Sequence, residues 1–314
     1  MPIIKVIKQG FQSTIQDLGR FGYSHFGISA SGAADSFSFR IGNLLLGNNQ
    51  NSAALEMTLV GGEFFFDSDA LIAITGSDFN PLLDEIPVAT WTTLFIKAGQ
   101  TLKFGSTQNG ARCYLCIKGG FVTEKILGSS STHLLTNLGG NQGRAFLKND
   151  EINFIQSDYR NSQSLRVKPA IIKEVMGKRK IFVTHAPQSS LFSQQTLELF
   201  SSSIYTVTEE ANRMGLRLSG PPLKQKVNKD IITEGISLGA IQVSHDGNPI
   251  ILFVEHQTTG GYPKIANVIS ADLHRVGQLR PRDEIQFSFI NIDEAYLLRT
   301  KLESLISSES LTSL

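Results

Sequence analysis

Between Ala53 and Phe121, short apolar, β-branched runs are cut off every few residues by turn dipeptides. This rhythm constrains the fold more than any other feature of the chain. Ala54-Leu-Glu-Met-Thr-Leu, Glu63-Phe-Phe-Phe, Leu71-Ile-Ala-Ile-Thr, Leu94-Phe-Ile-Lys, Thr101-Leu-Lys-Phe and Arg112 to Ile117 read as strands. Gly61-Gly62, Asn80-Pro81, Ala98-Gly99 and Asn109-Gly110 separate them. Such spacing argues for a closed or nearly closed β-barrel and against a parallel α/β sheet.

The second half has the same texture. Lys180 to Thr184, Ser203 to Thr208, Gly215 to Leu218, Ala240 to Val243, Pro249 to Val254 and Asp283 to Ile290 read as strands, and His245-Asp-Gly247 as a hairpin turn. Helices are few. One starts at Asp35 or Ser36, lines up Phe37, Ile41, Leu44 and Leu45, and stops at Gly47; a second lies near Ser193 to Phe200. A last one runs from Asp293 to Ile306 behind an Asn291 cap, and the Ser-rich end beyond it is expected to fray. The polar, basic stretch 156–180 is the expected boundary, giving domains 1–160 and 178–290 and a helical tail 291–314.

Composition narrows the function classes. Charged residues make up 18% and hydrophobic ones 41% of 314 residues, which is a globular balance. The net charge of +1 supplies no broad field for nucleic acid or an anionic membrane. No apolar run reaches the roughly 18 residues that span a bilayer, and no signal-peptide core is present, so a cytoplasmic protein is expected. Cys113 and Cys116 have Cys-x-x-Cys spacing but no second pair to complete a zinc site, and strand alternation puts them on opposite faces.

Two polar segments carry chemistry. Residues 16–35 hold four glycines among Asp17, Arg20, His25, Ser31 and Asp35, with no regular period, and read as a long ordered loop. Such a loop either serves function or is a compact structural loop in which Asp17 and Arg20 pair. Residues 255–276 leave the strand Pro249 to Val254, pass through Gln257-Thr258-Thr259-Gly260-Gly261-Tyr262-Pro263-Lys264 and end in a short helix capped by Ser270. Glycines able to take positive φ, two hydroxyls, an amide and one cation suit a carboxylate, a phosphate or a planar amide. The alternative is a hairpin corner whose threonines satisfy the backbone. Glu56, the one acid in its strand, reads by alternation as facing solvent; Asp78 reads either as facing a cleft or as a turn residue; Arg213 and Arg217 read as solvated strand charges or a pair facing one anion.

Several motifs in order carry a resemblance. Thr14-Ile-Gln-Asp-Leu-Gly-Arg-Phe-Gly-Tyr, Ser31-Gly-Ala-Ala-Asp, Ala54-Leu-Glu, Thr75-Gly-Ser-Asp-Phe, Arg213-Met-Gly-Leu-Arg-Leu, Gly239-Ala-Ile-Gln-Val and Gln257-Thr-Thr-Gly-Gly-Tyr-Pro resemble the family of the 5-oxoprolinase C subunit. The same family includes the KipI antagonist (KipA) and allophanate hydrolase subunit 2, and is related to the carboxyltransferase part of urea carboxylase. The resemblance implies a mainly β fold of two cyclophilin-like β-barrel domains. It also implies a KipI-like B subunit and an A subunit as partners, and ATP, with magnesium at a shared subunit site, for opening 5-oxo-L-proline to L-glutamate. Regulation of a sporulation kinase through its inhibitor, and carboxyl transfer with biotin carried elsewhere, are the other implied roles; the chain has no Met-Lys dipeptide for covalent biotin. Carried over residue by residue, the motifs nominate Asp17, His25 and Glu56 for proton handling. They nominate Arg20 and Lys264 for anionic groups, and Gln257, Thr258, Thr259, Gly260, Gly261 and Tyr262 for the rest of the substrate; no metal ligands are nominated. Relatives have Arg where this chain has Ser130 and His256, which leaves His256 as the cation if it is protonated near neutrality.

Overall fold

The computed structural model describes residues 1–159, 162–176, 180–226 and 231–314. The expected domain ends at 160 and 178 and the basic residues 177–179 lie outside them. The chain forms two compact units. The first holds Met1–Arg20, Ser31–Glu174 and Leu305–Leu314; the second holds Phe21–Ala30 and Val175–Ser304.

Alternation in the first unit sorts most of its strands into two sheets. One runs in the order Glu151–Asn153, Ile3–Lys8, Glu63–Phe66, Thr101–Lys103, Leu82–Leu83 and Ile86–Pro87. The other runs Gln12–Gln16, Ala54–Thr58, Arg112–Ile117, Ala70–Gly76 and Thr93–Ile96. Ile4, Val6, Phe64, Phe66 and Leu102 from the first meet Ile15, Leu55, Ile72, Cys113 and Leu115 from the second in one core. Burying each such side chain contributes roughly 1.5–3 kcal/mol. Strand closure, expected here from spacing, takes the form of two sheets around a shared core.

The helix Ser36–Leu45 starts as expected, with the Asp35 carboxylate accepting from the Ser38 N–H at 2.9 Å. It lies close on the sheet because Gly42 has no side chain: a Cβ there would sit 2.7 Å from Cys116 Sγ and 2.9 Å from Thr75 Oγ1. Cys116 faces this helix and Cys113 the core, so both thiols are buried packing groups. Burial raises the pKa of each, Cys113 also under the charge of Asp78, which removes the thiolate that redox or metal chemistry needs.

The second unit is a closed barrel of seven strands: Lys180–His185, Lys264–Val268, Ala240–Val243, Pro249–Leu252, Gly215–Ser219, Ile204–Val207 and Glu284–Phe289. Six of these pairings are antiparallel; Lys180–Val183 runs parallel to Gln286–Phe289 and closes the ring. The helix Gln194–Ser202, capped by Ser193, presses Phe200 onto the barrel, its ring stacked on Phe287 at 4.5 Å and tilted against Tyr205 at 6.0 Å.

Several expectations change. Lys264–Val268 is a barrel strand, not part of a loop. Ser270 does not cap the short helix: the turn Ser270–Asp272 leads into Leu273–Val276 without a side-chain cap. The tail does not fray, because Leu311–Ser313 pairs antiparallel with Leu165–Val167 and Ser310 is buried. Glu56 does not face solvent; its strand is the second of five and is buried along its whole length. Among the described residues no helix is long and apolar enough to cross a membrane.

Candidate functional site

The second unit contains a cavity of about 650 Å³ at the mouth of its barrel strands. Two stretches meet there. Glu234–Gly235 and Thr259–Gly260 form a two-strand ribbon in the register Glu234↔Gly260 and Gly235↔Thr259, extended where the Ile236 N–H donates to the Thr258 carbonyl at 3.0 Å. The ribbon requires a glycine at 260 for space rather than for φ. Neither Gly260 nor Gly261 has a positive φ, but a Cβ at 260 would stand 2.4 Å from Ile236 Cδ1 and 3.0 Å from Gln242 Nε2.

Lys264 opens its strand opposite Gln242, where a register shift between Ile241 and Gln242 loosens the pairing. Its side chain is 5% exposed and its ammonium donates to the Glu234 carboxylate, which is 42% exposed. Gln188 Nε2 donates to the same Glu234 oxygen. The Lys264 hydrogen bond, then that from Gln188, hold the Glu234 carboxyl below its ordinary range. Around this pair stand the hydroxyls of Ser24, Ser237, Thr258 and Thr259, the Asn267 amide and the His25 imidazole. His25 leans on Phe26, ring centroids 4.0 Å apart. The result is a small polar chamber with one fixed ammonium, an imidazole and several hydroxyls, in the size range of small-molecule sites.

The same loop borders a second cavity, about 340 Å³, lined by Gln257, Gly260, Gly261 and Tyr262 together with Gln242 and His245. There the His245 ring meets Tyr262 edge-on at 5.1 Å, and Gln242 Nε2 donates to the Tyr262 carbonyl at 3.2 Å. The loop's root is held by a buried ion pair of Glu255 and Arg213, and the Glu255 N–H donates to the Arg213 carbonyl at 2.8 Å. Arg213 is thereby engaged, while Arg217 pairs with Glu210 on the surface at 3.2 Å, so the two arginines do not face one anion. The His256 Nδ1–H donates to the Gln257 carbonyl at 2.6 Å, and burial lowers the pKa of the ring. That shift works against a protonated His256 standing in for the missing arginine.

The other sequence-nominated residues belong to the first unit. The Asp17 carboxylate accepts from the Gly19 N–H at 2.8 Å, the Ser130 N–H at 2.7 Å and the Ser129 and Ser131 hydroxyls at 2.6 Å each. Arg20 donates to the Ser131 carbonyl from a fully buried position. Glu56 accepts from the Ala34 N–H at 2.8 Å and the Tyr114 hydroxyl at 2.7 Å, and Tyr114 in turn accepts from the Asp35 N–H at 2.8 Å. Burial, then the Glu56 charge, raises the Tyr114 pKa. These groups form buried networks that tie residues 129–132 and 33–35 to the sheet. Asp17 and Arg20 both reach the segment 129–131, Asp17 through Ser129, Ser130 and Ser131 and Arg20 through the Ser131 carbonyl.

The fold thus gathers His25, Thr258, Thr259 and Lys264 at the larger cavity and Gln257, Gly260, Gly261 and Tyr262 at the smaller. Sequence reasoning missed Glu234, Gln188 and Asn267. Asn267 left a trace as a lone amide in the run Ile265-Ala-Asn-Val-Ile. Glu234 left none, since a carboxylate beside a glycine reads as a turn. Among the described residues no cluster of His, Cys, Asp or Glu is placed to hold a metal ion.

Comparison with known proteins gives this geometry a setting. The family described as a carboxyltransferase domain, subdomains A and B, matches residues 26–289. The chain is 36% identical over 301 residues to the 5-oxoprolinase C subunit of Haemophilus influenzae, covering 96% of each chain. It is 35% identical to the 5-oxoprolinase C subunit of Escherichia coli, covering 95% of this chain and 94% of that protein. The crystal structure of K. lactis urea amidolyase superposes with a TM-score of 0.92 at 31% identity over 99% of this chain, which spans only 20% of that larger protein.

Proposed function

Because the chain belongs to the family of carboxyltransferase domains with subdomains A and B, we propose that it works as the C subunit of an ATP-dependent 5-oxoprolinase. In this reading it opens 5-oxo-L-proline to L-glutamate together with A and B subunits. The observation that carries the reading is the fixed ammonium of Lys264 among hydroxyls and an imidazole in a chamber of about 650 Å³. Such a set fits a small lactam bearing one carboxylate.

The reaction needs an activated amide, because an unstrained lactam is a poor electrophile. Its oxygen takes the γ-phosphoryl group of ATP with ADP leaving; water then adds to the carbon and the ring C–N bond breaks, leaving an acyl phosphate that a second water hydrolyses to the carboxylate and inorganic phosphate. Lys264 holds the substrate carboxylate and thereby orients the ring. Thr258, Thr259 and the ribbon amides donate to oxygen atoms that gain charge. His25, exposed and close to the chamber's lining hydroxyls, moves a proton to the nitrogen that leaves. Asp17, Arg20 and Glu56 are assigned a supporting role, holding the first unit's loops through buried hydrogen bonds. The nucleotide brings its magnesium with it, and the partner proteins complete that site.

Full-length similarity to two proteins named as the C subunit, against 20% coverage of urea amidolyase, favours lactam opening over carboxyl transfer to a urea-like substrate. The test is to co-express the chain with its A and B partners and measure ATP hydrolysis dependent on 5-oxo-L-proline, with glutamate as product. An assembled complex that makes neither ADP nor glutamate rejects the reading; turnover of urea with bicarbonate and a biotinylated carrier would replace it.

A further inference from the structure

In the ion pair at the larger cavity, the two partners are held very differently. Lys264 belongs to a barrel strand hydrogen-bonded on both sides, and its side chain is 5% exposed. Glu234 belongs to a ribbon of two residues per strand, and its side chain is 42% exposed. The ammonium is therefore the fixed half and the carboxylate the replaceable half. Among the described residues Glu234 is also the only acid lining the cavity, and its oxygen takes hydrogen bonds from two buried or half-buried donors, Lys264 and Gln188. A carboxylate that accepts from an ammonium and a primary amide inside a polar chamber has the chemistry of a bound carboxylate ligand.

We propose that the Lys264–Gln188 corner is a carboxylate subsite and that Glu234 occupies it in the free chain as an internal competitor, swinging out when a ligand carboxylate enters. The idea rests on the functional reading above for the identity of that ligand, but not for its chemical class. Glu234 then sets specificity by charge. A neutral ligand gains nothing from displacing it. An anionic one exchanges one carboxylate for another at the same ammonium, so that the chamber never holds an unpaired buried cation. Because the free chain sits mostly in the self-paired state, the apparent affinity for the ligand is reduced by the fraction of open molecules.

The test is calorimetric titration of the full-length chain, wild type and Glu234→Gln, with three probes. These are 5-oxo-L-proline, propionate (the carboxylate without the ring) and 2-pyrrolidinone (the ring without the carboxylate). Removing the competing charge should tighten binding of both carboxylates by about three- to tenfold while leaving 2-pyrrolidinone unchanged, the size expected for a partly exposed ion pair. Gln188→Leu, which removes the second donor to Glu234 and to the incoming carboxylate alike, should lower the gain when combined with Glu234→Gln. A gain for propionate without one for 5-oxo-L-proline supports the subsite and counts against the lactam reading. No gain for either carboxylate, or an equal gain for 2-pyrrolidinone, overturns the proposal. Matching unfolding temperatures of the variants show that the fold is kept.

Discussion

Two buried charged residues of this chain do opposite work, and substitution separates them. Lys264 pairs with a carboxylate that reaches solvent, so its removal leaves no buried charge stranded. Lys264→Met should therefore alter unfolding free energy by no more than about 1 kcal/mol. The loss of a charge-assisted contact to substrate should instead lower kcat/KM by about 30-fold or more, mostly through KM. Asp17→Ala should do the reverse, since four donors, two of them backbone N–H groups, lose a buried acceptor. A stability loss of about 2–4 kcal/mol by urea unfolding is expected. A Lys264→Met protein that unfolds early but retains turnover would place that lysine among the structural groups.

Also at this scale, His274 is buried and its pKa is lowered to about 4, first by burial and then by Arg275. The unfolded chain takes up its proton near the ordinary value of 6.5, so between pH 6.5 and 4 the unfolded state binds more protons than the folded one. Stability is present in full above that window and falls as the pH drops through it, by up to about 3 kcal/mol. Urea midpoints at about pH 7 and about pH 5 should differ, and His274→Gln should flatten the difference.

The tail strand Leu311–Ser313 is the element whose behaviour composition misjudges most. It is short and rich in serine, yet it lies against Leu165–Val167, and its neighbours add hydrogen bonds: the Lys168 N–H donates to the Ser310 carbonyl at 2.9 Å and the Leu314 N–H to the Ser164 carbonyl at 2.9 Å. Removing residues 308–314 should strip hydrogen-exchange protection from the Lys168 amide and destabilise the first unit by about 1–3 kcal/mol. A fully protected Lys168 in the truncated chain would show that the pairing is dispensable. The C-terminal helix Ile292–Ser304 was legible in detail by contrast. Its reciprocal cap, Asn291 Oδ1 accepting from the Glu294 N–H at 2.8 Å while Glu294 accepts from the Asn291 N–H at 3.0 Å, needs only residues three apart.

For the whole molecule, the family assignment and the full-length similarity point to work within an assembly. Turnover should require all three proteins, and omission of any one should reduce 5-oxo-L-proline-dependent ATP hydrolysis to background. The chain carries no Met-Lys dipeptide, so the chain by itself should not be retained by streptavidin, and under the lactam-opening reading added avidin should leave the rate of the assembly unchanged. Inhibition by avidin would instead point to a biotin-dependent transfer. Two compact units, each with strands of its own, are consistent with the strand rhythm that recurs in both halves of the chain.

The strands read from turn spacing and the caps at Asp35 and Asn291 were set by neighbours a few residues apart, and the sequence alone determined them. Pairing over long separations decided the rest. Glu56 is buried because strands flank its own on both sides and because Tyr114, 58 residues away, supplies a donor. Lys264 became a barrel residue through its register with Gln242, and Gly260 owes its place to Ile236 beside the facing strand of the ribbon. Local chemistry can say which residues are able to bind a carboxylate. Only the tertiary fold could bring Glu234 and Gln188 to Lys264, because an ion pair spanning 30 residues of chain leaves no periodic signal along the sequence.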